Sequence, residues 1–173
     1  LDCRAFDLNG AMRLTRPFAL ALAILLIASS SIAGAWIFEA LGYAPCELCL
    51  KERIAYYAAI PIAGLAVLFT ARGMNVLAHG LFLALVLIFA GSTVFGAYHA
   101  GVEWGFWPGP TECTGALARA ATVADFLAQL QSVRPVRCDV PALKILGLSL
   151  AAWNAAISAG LAALAVAALR LRA

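Results

Sequence analysis

Four long runs of this chain carry almost no charge, and that limits its fold more than any other feature. A helix that crosses a bilayer needs roughly 20 mostly apolar residues at about 1.5 Å of rise each. The runs from Phe18 to about Phe38, Ile54 to Ala71, Val76 to Tyr98 and about Ile145 to Leu169 all reach that length. In lipid, every backbone N–H and C=O must find its partner inside the protein, so runs of this kind become helices. The second holds Pro61, a kink for neighbouring helices to absorb, and the third has His79 near its start. Composition excludes a soluble domain: 64% of the 173 residues are hydrophobic, 12% are charged, and the mean hydropathy is +0.93.

The expected fold is therefore an all-α membrane protein, a four-transmembrane-helix bundle in one domain over residues 18–169. Its helices should span about 18–40, 53–71, 76–99 and 144–169, with exported loops at about 41–52 and 100–143. Residues 1–17 and 170–173 should be a cytoplasmic segment and tail. Ala33-Gly34-Ala35 looks like a cleavage site, but the apolar run before it exceeds the roughly 7–15 residues of a signal peptide, so the first helix should be retained. Met12 followed by Arg13 and Arg16 would make an ordinary start, so residues 1–11 are read as leader or added sequence and Cys3 is given no role.

The net charge of +3 does not mark a nucleic-acid binder, because Lys and Arg flank apolar runs and form no basic face. With four helices, both termini and the 72–75 turn share one side, with Arg4, Arg13, Arg16, Arg72, Arg170 and Arg172. The other side carries Lys51, Arg53, Arg119, Arg134, Arg137 and Lys144, so the count is even. Arg13 and Arg16, directly before the first helix and with no acid beside them, decide for cytoplasmic termini.

About 45 residues join the third and fourth runs, beyond the roughly 12–15 of an ordinary loop. The loop begins Gly101-Val102-Glu103-Trp104-Gly105-Phe106-Trp107-Pro108-Gly109-Pro110, with aromatics suited to the headgroup level. Thr122-Val123-Ala124-Asp125 resembles a capping box, followed by Phe126, Leu127 and Leu130 at helical spacing. This predicts a short helix, lying on the membrane surface or packed on the rest of the loop.

The polar chemistry gathers at Cys46-Glu47-Leu48-Cys49-Leu50-Lys51-Glu52-Arg53. Two cysteines in C-x-x-C spacing at a helix start form an exchangeable disulfide, and the unpaired N–H groups there favour a Cys49 thiolate. Arg53, at i+4 from Cys49, faces the same way, either as a cation for the thiolate or a bound acceptor, or as an anchor reaching for the headgroups. Cys113 and Cys138 would, if paired, close a ring of about 25 residues worth perhaps 3 kcal/mol as a purely structural staple. A four-cysteine metal site needs a second short spacing that this pair lacks, so no metal is expected. A thiol relay explains more, since one pair can meet a soluble partner while the other meets something in the bilayer.

These residues, with Tyr98-His99-Ala100-Gly101-Val102-Glu103, Trp107-Pro108-Gly109-Pro110, Cys113, Cys138-Asp139, Leu146-Gly147-Leu148-Ser149 and Trp153-Asn154, resemble the DsbB family of bacterial disulfide bond formation proteins. The resemblance spans about residues 18–169. It implies a quinone-linked thiol oxidase of the bacterial inner membrane with its redox cysteines on the periplasmic side. A periplasmic thioredoxin-fold, DsbA-like protein would be oxidised through Cys113/Cys138, with Cys113 as the site of the mixed disulfide. Electrons would pass to Cys46/Cys49, and Cys49 would hand them to ubiquinone or menaquinone. Arg53 and His99 are the implied quinone-binding residues. Glu47 departs from the apolar residue often found between these cysteines. The rival readings are a vitamin K epoxide reductase-like enzyme, whose C-x-x-C would come late in the chain, and a non-catalytic scaffold stapled by its disulfides. The remaining polar residues of the runs, Ser92, Thr93, Ser149 and Asn154, are expected to bond between helices, and Ala151, Ala155 and Ala159 to form a close-contact stripe.

Overall fold

The computed structural model describes residues 15–109, 122–124, 127 and 136–171. Within them lie α1 (Arg16–Ala40), α2 (Glu47–Ala71), α3 (Asn75–Glu103), strands β1 (Lys144–Ile145) and β2 (Leu148–Ser149), and α4 (Leu150–Arg170). All four helices are long and apolar enough to cross a membrane, which makes this a multi-pass membrane bundle. They close in a ring, with α1 on α2, α2 on α3, α3 on α4 and α4 on α1. Arg72, Gly73 and Met74 make the α2–α3 turn, where Gly73 takes φ +70°, open to a residue without Cβ.

Lipid tails are as apolar as leucine, so helices associate here through close packing and hydrogen bonds. The core pairs small side chains with large ones: Ala21, Ala28, Ala59, Ala63 and Ala165 surround Phe82, Leu85, Phe89 and Leu161. At Gly96 of α3 a Cβ would stand 3.1 Å from the backbone nitrogen of Ala155, so α3 and α4 approach as closely as backbones allow. Ser158 Oγ lies 3.0 Å from both Tyr56 Oη and Ser92 Oγ, tying α2, α3 and α4 together in the apolar interior. The other polar residues behave differently from expectation. Thr93 bonds the Phe89 carbonyl of its own helix, Ser149 accepts from Ala152 N–H as the α4 cap, and Ala159 is exposed.

Several boundaries also differ from the sequence reading. α2 starts at Glu47, six residues ahead of 53, because Cys46 caps it and the Glu47-to-Arg53 stretch continues as helix. α3 runs on to Glu103, past 99. The fourth helix starts at Leu150 because residues 144–149 form a hairpin, Lys144 paired with Ser149 and Ile145 with Leu148. Its turn, Leu146 (φ 52°) and Gly147 (φ 84°), has the left-handed backbone at both positions that two-residue hairpins favour. Trp153 Nε1–H donates to the Ile145 carbonyl at 3.0 Å and fastens the hairpin to α4. In the long loop, Val123, Ala124 and Leu127 are helical and exposed, while Asp125, Phe126 and Leu130 lie outside the described residues.

Candidate active site: a dithiol backed by histidine and carboxylate

Cys46 ends the α1–α2 loop with extended backbone (φ −76°, ψ 171°) and caps α2, its sulfur accepting the Cys49 N–H at 3.3 Å. The first helical turn brings residues three apart onto one side, so the two sulfurs stand 3.0 Å apart as thiols. Cys46 is buried and Cys49 half-buried. The Cys46 thiol is pushed up to about 12, first by the hydrogen bond it gives the Cys49 sulfur and then by burial. Glu47 turns away from the sulfurs to pair with Lys51 at 2.7 Å, one turn along α2.

Behind Cys46 lies a second layer. His99 of α3, only 1% exposed, has Nε2 3.6 Å from Cys46 Sγ and Nδ1 2.8 Å from Glu52 Oε1. Glu52 is itself buried, one turn after Cys49 on α2. The carboxylate against Nδ1 holds the ring so that Nε2 faces the Cys46 sulfur. The three residues form a Cys–His–Glu series, the arrangement in which a base is positioned against a nucleophile and held by a third group. Cys46 Sγ, Cys49 Sγ and His99 Nε2 also lie within 4.8 Å of one another.

On the other side of Cys49 a cavity of about 350 Å³ opens between α1, α2 and α4. Apolar side chains line most of it, among them Ile32, Phe38, Leu150, Trp153 and Ile157, with Ser30, Ser31, Cys49, Glu52, Arg53 and Asn154 among its polar points. Asn154 also borders it, but its Nδ2 is buried toward α3, where a Cβ added at Gly96 would stand 3.1 Å away. Arg53 donates from Nη1 to Glu39 Oε2 at 2.6 Å and from Nη2 to the Ala35 carbonyl at 3.4 Å, so α1 holds the guanidinium at the cavity wall. An apolar wall with a fixed guanidinium at its edge fits a flat ring bearing carbonyl acceptors.

Of the residues singled out from sequence, Cys46, Cys49 and Arg53 meet at this site, and His99 joins it from behind. His99 is not among the residues that line the cavity; its neighbours are Cys46 and Glu52. Cys138, 2% exposed, is buried in one cluster with Cys46 and Leu48, flanked by Phe95 and Val136. Cys113 lies outside the described residues. Sequence reasoning gave no role to Glu39 or Glu52. Their one signal was an acid placed at the end of an apolar run and another directly beside Arg53.

A family model described as DsbB, disulfide bond formation protein DsbB, matches residues 16–168. A protein of Rickettsia prowazekii (strain Madrid E), named Uncharacterized protein RP370, is 29% identical over 136 residues, 77% of this chain and 76% of the relative. No solved structure matches the chain.

Proposed function

The chain belongs to the DsbB family of membrane disulfide oxidases, and from that membership we propose that it takes electrons from a reduced thioredoxin-fold, DsbA-like protein in the periplasm and delivers them to a membrane quinone. Ubiquinone and menaquinone are the acceptors this reading admits. The observation that carries it is the largely apolar cavity bordered by Cys49, Arg53 and Asn154. In this reading the cysteines face the periplasm of a bacterial inner membrane.

A partner thiolate attacks Cys113 of the Cys113/Cys138 disulfide, forming a mixed disulfide and releasing Cys138. The partner's second thiol resolves the mixed disulfide, and the partner leaves oxidised. Packing of Cys138 against Cys46 supports the next exchange: Cys138 attacks Cys46 of the second disulfide and releases Cys49. Cys113 then closes again on Cys138, and Cys46 is released and takes up a proton. Two electrons have moved from the partner to Cys46 and Cys49.

A quinone bound in the cavity supplies a two-electron, two-proton acceptor. Cys49, at the cavity wall, is the sulfur in position to deliver to it. Re-forming the Cys46–Cys49 bond needs Cys46 without its proton, and a thiol held up to about 12 will not ionise unaided near neutrality. His99 Nε2 accepts that proton, with Glu52 holding the ring by Nδ1. Arg53, fixed by Glu39, would hold the acceptor by donating to a carbonyl oxygen.

Anaerobic mixing of purified protein with a reduced thioredoxin-fold partner and quinone tests the reading through quinone absorbance. Partner-dependent loss of the oxidised quinone signal is expected, and Cys49→Ser should abolish it. Absence of partner-dependent reduction in the native protein would overturn the proposal.

A further inference from the structure

The Cys46, Cys49 and His99 group has a property that disulfide exchange does not require. Its three donor atoms come from the cap and first turn of α2 and from α3, converge within 4.8 Å, and lie in a mostly buried setting. Thiolate, thiolate and imidazole are the donor set that borderline-soft divalent cations select, zinc above all. We propose that the reduced dithiol is a binding site for one thiophilic divalent cation, held by Cys46 Sγ, Cys49 Sγ and His99 Nε2. The site does not depend on the quinone or the partner protein, only on the pair being reduced.

The geometry is close to that of a tetrahedral centre. Bonds of about 2.3 Å to sulfur and about 2.0 Å to nitrogen put two sulfurs roughly 3.8 Å apart and a sulfur roughly 3.6 Å from the nitrogen. The Cys46 Sγ to His99 Nε2 separation is already 3.6 Å. The sulfurs, now 3.0 Å apart, must part by about 0.8 Å to reach that tetrahedral spacing. Cys49 has room for this, because it borders the cavity, and the fourth coordination position is left to water from that side.

The surroundings match those of a metal site in two further ways. His99 Nδ1 bonds Glu52 Oε1 at 2.8 Å, the carboxylate–histidine contact that fixes the tautomer and aims the other ring nitrogen at a metal. Cys46 Sγ already accepts the Cys49 N–H at 3.3 Å, a backbone contact that a metal-bound thiolate can keep. Sequence spacing pointed to four cysteines and so argued against metal; the structure replaces the second cysteine pair with a histidine from α3.

Binding would be gated by redox state, since a disulfide offers no thiolate. A bound zinc ion would hold both sulfurs reduced and withhold His99 from Cys46, a reversible brake on turnover where zinc is plentiful. No electron moves in this step; the thiols release their protons as the metal binds.

Cobalt(II) is the probe. Full-length protein in detergent, reduced and freed of reductant under anaerobic conditions, is titrated with cobalt and followed by absorbance. Thiolate-to-cobalt charge-transfer bands and intense tetrahedral visible bands should saturate at one cation per chain and vanish when zinc is added. The disulfide form should give neither band. Glu52→Gln, which keeps the side-chain shape, should keep the bands and weaken affinity about 10- to 100-fold. The double variant Cys113→Ser, Cys138→Ser should bind as the native protein does. Equal binding by oxidised and reduced protein, loss of the bands in the double variant, or unchanged affinity in Glu52→Gln would overturn the assignment. None of these readouts uses turnover, so they stand or fall apart from the quinone reading.

Discussion

Cys46 and Cys49 share one helical turn yet differ in what surrounds them: Cys46 is closed in by His99 and Leu48, and Cys49 meets the cavity. Because the hydrogen bond to Cys49 is the first cause of its raised value, Cys46 should stay a thiol until the pH nears about 12. Its alkylation in the reduced protein, followed by mass spectrometry against pH, should rise only toward that limit. Cys49→Ala should move the midpoint down, and an unmoved midpoint would leave burial as the sole cause. For Arg53, hydrogen bonds to charged groups contribute about 1.5–3 kcal/mol, so Arg53→Gln should lower quinone use roughly ten- to a hundredfold while partner exchange at the loop cysteines continues. Arg53→Lys keeps the charge without the planar fork and should fall between. Glu39 is nearly half exposed, so its pairing with Arg53 is worth about 0.2–1 kcal/mol, and Glu39→Gln should lower quinone use only about 1.5- to 5-fold. Equal losses in partner exchange and quinone reduction would show that these variants damage the bundle and leave Arg53 without a special role.

At the scale of elements, the turn before α4 holds an evident strain. Leu146 adopts φ 52° and is 89% exposed, so it bears left-handed backbone without burying its side chain. Asparagine accepts that conformation more readily, and Leu146→Asn should stabilise the hairpin by about 1 kcal/mol, read as a higher unfolding midpoint in detergent. Gly96→Leu should do the opposite, since a Cβ alone would stand 3.1 Å from the Ala155 nitrogen and the atoms beyond it must push α3 from α4. The helices were legible because lipid demands long apolar runs, and the C-x-x-C pair was legible as a helix start. The hairpin was not, because Ile145, Leu146 and Leu148 continue the apolar pattern; Gly147 followed by a capping Ser149 was the mark of its turn. The Glu52–His99 contact could not be read at all. Its partners sit 47 positions apart on different helices, and only packing brings their faces together.

For the molecule as a whole, sidedness is the property that charge counting left evenly balanced. Cys138 is too buried to report it, so the test uses single cysteines at the exposed positions Leu146 and Asn75, at opposite ends of the bundle. A membrane-impermeant thiol reagent on whole cells should label Leu146→Cys and spare Asn75→Cys; the reverse pattern would invert the orientation. The Glu39–Arg53 bond bears on how the chain enters the bilayer in the first place. Both residues lie at the same end of the bundle, one near the close of α1 and the other near the start of α2. An unpartnered charge near hydrocarbon is expensive, and a paired one much less so. The first two helices should therefore leave the insertion machinery together, as a hairpin already neutralised, with their own side of the wall beside Cys49 waiting for α4 to close it.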